Sequence, residues 1–264
     1  MIVTKIAAVL KKDLLTAVRY RNGFVFNLIS PALQLATFYY LACAVGPQFR
    51  PDGMPYVMFL VVGMGFYTFL ISGIHSFFQA IQQAQQTGTL EFLMTTSTRP
   101  SVLLFLSTLS SFAGGFVQFV LYVGSGIVLF APAVDMNIFG VVLVMIWSLI
   151  IAAAIGLFAA GLQLSIHKGS TVLWLLGSCT WLMAGTLFPV NTLPQPLQVL
   201  SNLLPLTHSV TAMRLAIFDA GERATLVHEI EILALFSCVL LPAGMAFFAW
   251  TLQRARQNGQ LAFY

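Results

Sequence analysis

The sequence predicts an all-α polytopic membrane protein with about six transmembrane helices. Of its 264 residues, 59% are hydrophobic and only 8% are charged, whereas about a quarter of the residues in an average soluble domain carry a charge. The apolar runs do not alternate with polar residues, as the strands of a transmembrane β-barrel would. Several runs are long enough for a helix to cross a hydrocarbon core of about 30 Å. We therefore expect a single transmembrane domain over residues 1–264.

The amino-terminal segment, residues 1–22, predicts an amphipathic helix that lies at the membrane interface. Lys5, Lys12 and Arg19 recur on one helical face, and an apolar face lies beside them. A signal peptide is the alternative, because basic residues precede an apolar run. That run is longer than the apolar region of a signal peptide, so the sequence favours the interfacial helix.

Six apolar runs are the predicted transmembrane spans, and their flanking charges indicate the topology. The runs cover residues 24–45, 56–78, 102–130, 138–166, 170–188 and 232–252. An even number of spans leaves both termini on one side. Of the basic residues, only Arg50, Arg214 and Arg223 fall on the opposite side. Because positive charge accumulates in cytoplasmic loops, we expect a multi-pass protein of the cell inner membrane with both termini in the cytoplasm.

A polar island separates the second and third spans. Residues 82–100 read QQAQQTGTLEFLMTTSTRP, and one short helix fits at 87–97, after a turn at Gly88. On this helix Leu90 and Leu93 share a face, while Glu91 lies in the first turn, where the helix dipole favours an anion. We predict that the helix lies flat at the cytoplasmic surface and docks a partner. An ordinary cytoplasmic loop is the alternative.

A second unusual segment lies between the fifth and sixth spans. Residues 187–214 read LFPVNTLPQPLQVLSNLLPLTHSVTAMR, and four prolines divide this apolar sequence into pieces too short to cross a membrane. Leu193, Leu197, Leu200 and Leu204 recur at helical spacing, which predicts a short amphipathic helix with a buried leucine face. Broken backbone at membrane depth must pack in protein or line a cavity. We therefore predict an outer re-entrant segment at 189–206, or else an apolar cap on the helix bundle.

The residue patterns do not support enzymatic, metal-binding or nucleic-acid chemistry. Cys43, Cys179 and Cys238 lie inside apolar runs, and we expect them to be small buried hydrophobes. The four histidines have no zinc-site spacing. The sequence Gly124-Ser125-Gly126 has no partner base and favours helix packing. Basic residues flank the spans instead of clustering, so nucleic acid is not an expected partner.

Two patterns inside the spans leave their roles open. Ala152, Gly156 and Ala160 form a stripe of small residues, which permits close helix approach within the chain or in a dimer. Aromatic residues in spans one and three would suit sugar rings or flat apolar molecules, or would simply pack in the core or against lipid. The candidates for a pathway lining are Phe38, Tyr39, Phe112, Phe116 and Phe119.

Both unusual segments resemble those of a known family. The stretch TGTLEFLMTTSTRP resembles the coupling-helix region of the type-2 ABC exporter permeases, and LFPVNTLPQPLQVLSNLLPLTHSVTAMR resembles the sequence before the last span of that family. The resemblance covers nearly the whole chain. The coupling region, Phe-Pro, Leu-Pro, Pro-Leu-Thr and the following Arg occur in the family's order and spacing.

The resemblance implies a membrane-spanning half-transporter that pairs with a second permease copy and with ABC ATP-binding subunits, in contact with membrane lipid. ATP and Mg would be bound by the partner, because this chain has no GxxxxGK[ST] P-loop and is not expected to be an enzyme or to bind a cofactor. The implied partner-coupling residues are Gly88, Leu90, Glu91, Phe92, Leu93 and Arg99. The implied re-entrant gate contains Phe188, Pro189, Leu193, Pro194, Pro196, Pro205 and Arg214.

The expected function is therefore export of an amphipathic or hydrophobic substrate, such as a polysaccharide, lipo-oligosaccharide, lipid or drug. A stand-alone ion- or proton-coupled secondary transporter is the alternative. Only Glu229 and Glu231, at the edge of span six, could supply its intramembrane acid. A membrane scaffold that transports nothing is a third possibility.

Overall fold

The computed structural model describes residues 21–88, 100–131, 134, 136–165, 169–218 and 223–257. Throughout these ranges the regular secondary structure is helical. The helices are α1 (Arg21–Val45), α2 (Tyr56–Gln86), α3 (Pro100–Phe130), α4 (Ile138–Ser165), α5 (Gly169–Met183), α6 (Gln195–Asn202), α7 (Pro205–Phe218) and α8 (Arg223–Gln257). Short 3-10 turns lie at Pro51–Gly53 and Val190–Thr192. The predicted all-α polytopic membrane fold is confirmed.

Four of the predicted spans correspond to helices that are long and apolar enough to cross a membrane. Among the described residues these are Tyr56–Gln86, Ser111–Phe130, Ile138–Ser165 and Arg223–Ala255. Most of the predicted amino-terminal interfacial helix at 1–22 and most of the island helix at 87–97 lie outside the described residues, while Arg21 and Asn22 belong to α1. Those two elements, and the spans at 24–45 and 170–188, stay predictions of membrane placement.

Three predicted spans lie on helices whose bounds differ from the predicted ones. The helix of the second, predicted at 56–78, continues through the glutamines to Gln86. The helix of the sixth, predicted at 232–252, covers Arg223–Gln257. The fifth is shorter than 170–188, since α5 ends at Met183 and Gly185 adopts a left-handed φ of +68°. A residue in that conformation at a helix end stops the helix, and glycine adopts it without steric cost.

Helix α2 forms the centre of the bundle and packs against α3, α4, α7 and α1, while α8 packs along α4. Glycines permit the closest approaches to it. A side chain at Gly156 of α4 would overlap the ring of Phe77 on α2, and one at Gly73 of α2 would overlap Phe112 on α3. Gly156 of the small-residue stripe therefore makes an intramolecular contact.

The three cysteines correct another expectation. Cys43, Cys179 and Cys238 are all exposed on the chain and are not small buried hydrophobes. Cysteine in an apolar run does not distinguish a residue in the core from one on the apolar outer face of a membrane helix, because both environments favour the same side chains.

The two ends of the bundle differ in structure. Helices α2 and α4 finish close together at what we call the Gln86 end, where Gln163 of α4 bonds to Gln85 of α2. At the opposite end, which we call the Arg214 end, α2 and α4 begin, α7 packs against α2, α4 and α8, and α6 packs against α5 and α7. There the backbone N–H of Asn137, just before α4, donates to Ala216 O of α7 at 2.9 Å.

The glycine contact between α4 and α2 gives a testable prediction. Gly156→Ala should lower the apparent Tm in detergent, because the new methyl group overlaps Phe77 and overpacking costs about 1–3 kcal/mol. Gly114→Ala on α3 is the matched control, since nothing lies within 4 Å of the added carbon there. Equal thermal shifts for the two variants would contradict the close approach of α4 to α2.

Candidate functional site

Helix α5 ends at Met183, before the end of the apolar run at 170–188. We call the backbone that follows it, at residues 184–187, the helix break. The helix has 15 residues and is therefore about 22 Å long, which is short of a hydrocarbon core of about 30 Å. Beyond it, Ala184, Gly185 and Thr186 are buried. The last carbonyl groups of a helix have no partner within the helix, and buried ones need other donors. The residues that supply these donors define the candidate site.

Three hydroxyl groups bond carbonyl oxygens around the break. They come from Thr186 in the turn, from Ser201 of α6, which is completely buried, and from Tyr56 at the start of α2. The bonds are Thr186 Oγ1 to Trp181 O at 3.0 Å, Ser201 Oγ to Met183 O at 2.6 Å and Tyr56 O–H to Leu187 O at 3.0 Å. The broken backbone is thus held by three separate parts of the chain.

Arg214 of α7 supplies the remaining donors and is only 4% exposed. Its Nη1 donates to Gly185 O at 2.8 Å and its Nη2 to Thr186 O at 3.0 Å. Nε and Nη2 also donate to Phe59 O of α2, at 3.2 and 3.0 Å. The guanidinium carbon lies 3.5 Å from the centroid of the Phe59 ring, which is a cation–π contact. The guanidinium therefore joins α2, α7 and the break after α5.

The position of Arg214 depends on a glycine in α2. A side chain at Gly63 would overlap Nη2 of Arg214 and would lie 2.9 Å from Thr186 O. Phe59 and Gly63 are one helical turn apart, so the ring supports one side of the guanidinium and the missing side chain leaves room for the other. The sequence places Arg214 in the predicted gate, but it does not show that this arginine binds carbonyl oxygens or that Gly63 is required.

A second polar contact at the Arg214 end joins α6, α7 and α8. His208 Nδ1 lies 2.7 Å from Glu229 Oε2, and the two side chains are 13% and 15% exposed. Its Nε2 lies 2.9 Å from Asn202 O at the end of α6. Burial lowers the pKa of His208, but the bonds to Glu229 and the Asn202 carbonyl raise it by more, so the pKa lies above its ordinary value. The scattered histidines of the sequence give no sign of this pair.

The predicted gate residues all lie in the segment between α5 and α6, in α6 or in α7. Phe188, Pro189, Leu193 and Pro205 are half-buried, whereas Pro194 and Pro196 are exposed. The predicted leucine face of α6 is wrong in part, since Leu200 is exposed and the buried residue of the helix is Ser201. Ser201 takes the buried position because its hydroxyl donates to the carbonyl of Met183 and therefore has to face the core.

Of the predicted partner-coupling residues, only Gly88 lies within the described residues, with a left-handed φ of +67°. Leu90, Glu91, Phe92, Leu93 and Arg99 lie outside them. Gln85 lies three residues before Gly88, and its Oε1 accepts a hydrogen bond at 3.1 Å from Nε2 of the buried Gln163 of α4. The segment that begins at Gly88 is therefore continuous with a helix end whose last turn is bonded to α4.

The predicted pathway aromatics do not form one surface. Phe112 and Phe119 are buried against Phe69 of α2, and Phe38 is also buried. Tyr39 and Phe116 are exposed. An aromatic groove lies between α2 and α5. It is open, has a volume of about 220 Å³, and includes Tyr67, Ile71, His75, Leu173, Trp174 and Trp181 among its lining residues.

The bonds of Arg214 give a second prediction. Arg214→Lys should destabilise the protein by about 3 kcal/mol, the size found when a buried charged network is broken, because one ammonium group cannot reach the carbonyls of both Phe59 and Gly185. Gly63→Ala should lower the apparent Tm comparably, since it removes the space for Nη2. Gly177→Ala on α5, where nothing lies within 4 Å, is the control. If Gly63→Ala behaved like that control, the assigned position of Arg214 would be wrong.

The comparison with known families covers both the helix break and the segment that begins at Gly88. No curated protein matches the sequence. Residues 4–218 match the family model described as ABC-2 type transporter. The matched region includes the donors Tyr56, Ser201 and Arg214 and stops before Glu229. Because the match covers more than half of the sequence, this chain belongs to the ABC-2 type transporter family.

Proposed function

We propose that this chain is the permease subunit of an ATP-driven exporter, and that it moves an amphipathic or hydrophobic substrate out across the inner membrane. The membership of the ABC-2 type transporter family carries the proposal. The absence of a GxxxxGK[ST] sequence supports it, because ATP would then be bound by a separate subunit. A second copy of the chain would complete the membrane-spanning unit.

The proposed coupling begins at residues 87–97, with Glu91 and its apolar neighbours as the contact to the ATP-binding subunit. The segment directly follows α2, so a displacement of the docked segment would act on the end of α2. It would also act on α4, because the Gln85 to Gln163 bond is buried between the two helices. Helix α4 packs along α8, so the same displacement would reach α8. Packed helices transmit such motions as rigid bodies.

The groove between α2 and α5 supports an amphipathic cargo. Its lining combines the broad apolar faces of Trp174 and Trp181 with the imidazole of His75. Aromatic faces stack on sugar rings and pack against apolar rings, and a few polar groups fix the orientation of a ligand. We propose this groove as part of the transport path. Phe112 and Phe119 would then hold α2 in place by packing against its opposite side, at the α2–α3 interface.

The docking assignment makes a third prediction. The test is to purify the tagged chain from its host in mild detergent and identify the subunits that remain bound. The wild-type chain should retain a subunit with a P-loop. Glu91→Arg should reduce its recovery by about tenfold or more, because a cation at the amino-terminal turn opposes the helix dipole and the charge of the partner cleft. Glu231→Arg, which alters an exposed carboxylate on α8, is the matched control.

The results of this test distinguish an error in the docking residue from an error in the proposed function. If Glu91→Arg kept its P-loop subunit, residue 91 would not be the contact, but the exporter would stand. If no such subunit remained bound to the wild-type chain, even after cross-linking at Leu90 or Thr95, the ATP-driven function would be wrong. That result would favour the ion-coupled carrier.

A further inference from the structure

His208 is bonded on both ring nitrogens to groups that accept hydrogen bonds. The carbonyl oxygen of Asn202 can only accept, so Nε2 must carry a proton. Nδ1 lies 2.7 Å from Glu229 Oε2, and an ionised carboxylate also only accepts. The arrangement is therefore complete only when both nitrogens are protonated and His208 is an imidazolium. In the neutral ring the remaining proton stays on Nδ1, because the charged carboxylate is the stronger acceptor, so the Nε2 lone pair faces the Asn202 carbonyl and the bond to α6 is lost.

The positions of the two partners also favour an imidazolium. Asn202 is the last residue of α6, so its carbonyl lies at the negative end of that helix, while Glu229 lies in the second turn of α8. The ring of Phe236 lies beside the imidazole, with the two centroids 5.9 Å apart. One protonated ring therefore holds the end of α6 and the start of α8 against α7.

Few other titratable groups belong to the elements that pack against α7. Helices α4 and α6 contain no Asp, Glu, Lys, Arg or His, and Arg214 of α7 is bonded to carbonyl oxygens. On α2 the groups are Tyr56, Tyr67 and His75, and on α8 they are the exposed Arg223, His228 and Glu231, with Cys238, Arg254 and Arg256 farther along the helix. Glu229 is thus the one acidic group among the described residues that forms an ion pair with His208.

We propose that His208 is a proton-dependent positioning residue, which holds α6 in place when it is protonated and releases it when it is neutral. Helix α6 carries Ser201, the donor to Met183 O at the end of α5. Release of α6 would therefore loosen the stabilised helix break. In the predicted topology this junction lies outside the cytoplasm, so the protein would respond to external pH. The inference concerns the α6–α8 junction alone and does not depend on an ATP-binding subunit.

The direction of the pH effect follows from the raised pKa of His208. A group with a higher pKa in the folded protein stabilises it fully below the pKa of the unfolded chain, which for histidine is about 6.5. That stabilisation disappears as the pH rises through the higher pKa of the folded state. The junction should therefore be held at acidic pH and released at alkaline pH.

The test measures how accessible α6 is as the pH changes. In the chain reconstituted in lipid nanodiscs, the exposed Cys43, Cys179 and Cys238 are replaced by Ala, and one new thiol is introduced on α6 by Leu197→Cys, at a half-buried position, or by Val199→Cys, at an exposed one. The maleimide labelling rate of the first is divided by that of the second at each pH. This ratio removes the general rise of thiolate reactivity with pH. A protonated His208 near the new thiol would favour the thiolate and so raise the labelling rate at acidic pH. Release of α6 has the opposite effect, because it raises the labelling rate at alkaline pH.

We expect the ratio to rise by about fivefold between roughly pH 5.5 and pH 8.5, the size of effect that one partly exposed charge-assisted bond can produce. His208→Gln should remove the pH dependence. Glu229→Gln should keep a hydrogen bond but shift the midpoint to lower pH, because the carboxylate no longer favours the imidazolium. His228→Gln and Glu231→Gln are exposed controls on α8 and should leave the midpoint unchanged.

Two results would overturn the proposal. The first is a wild-type ratio that does not change with pH. The second is an unchanged midpoint in Glu229→Gln, since a histidine with a purely structural role would not respond to the charge of residue 229. If His208→Gln failed to fold, the Glu229→Gln midpoint would still decide.

Discussion

The structure depends on how the chain stabilises the backbone after α5. A helix that ends in a buried place leaves carbonyl groups without water, and each unpaired group there costs several kcal/mol. The protein places the guanidinium of Arg214 where it bonds Gly185 O, Thr186 O and Phe59 O together. A buried charge is costly unless its hydrogen bonds are satisfied. Here the broken backbone supplies the acceptors that the cation needs, so each offsets the desolvation of the other.

Helix α2 connects this site to the opposite end of the bundle. Its 31 residues span about 46 Å. Near its start, Phe59 and Gly63 form the seat of Arg214, and in its last turn Gln85 is bonded to Gln163 of α4. Gln163 Oε1 is buried and has no partner among the described residues, so this amide pair is only half satisfied. Helix α2 is thus bonded to α7 near its start and to α4 near its end.

The sequence predicts the fold class well because length and hydropathy alone determine which runs can span a membrane. It also identifies the interrupted backbone at 189–206, because prolines act locally. It does not reveal the partners of that backbone. Tyr56 and Leu187 are 131 residues apart in sequence, and Arg214 and Phe59 are 155 apart. Their pairing depends on packing, which local patterns do not encode. The aromatic stripe on the third span does not by itself identify a ligand surface, because core, lipid and ligand contacts all favour the same side chains.

Helix α7 supplies one cation to each of two interrupted helices, and the two cations differ in how they respond to pH. Arg214 binds the carbonyls after α5, and His208 binds the carbonyl at the end of α6. Both positions are where a helix dipole favours positive charge. Arginine stays charged throughout the physiological range, whereas histidine titrates within it. The break after α5 is therefore held permanently by Arg214. The attachment of α6, which supplies Ser201 to the same break, depends on a proton. An element that must move during transport would be expected to have the conditional attachment, and the element around which it moves the permanent one.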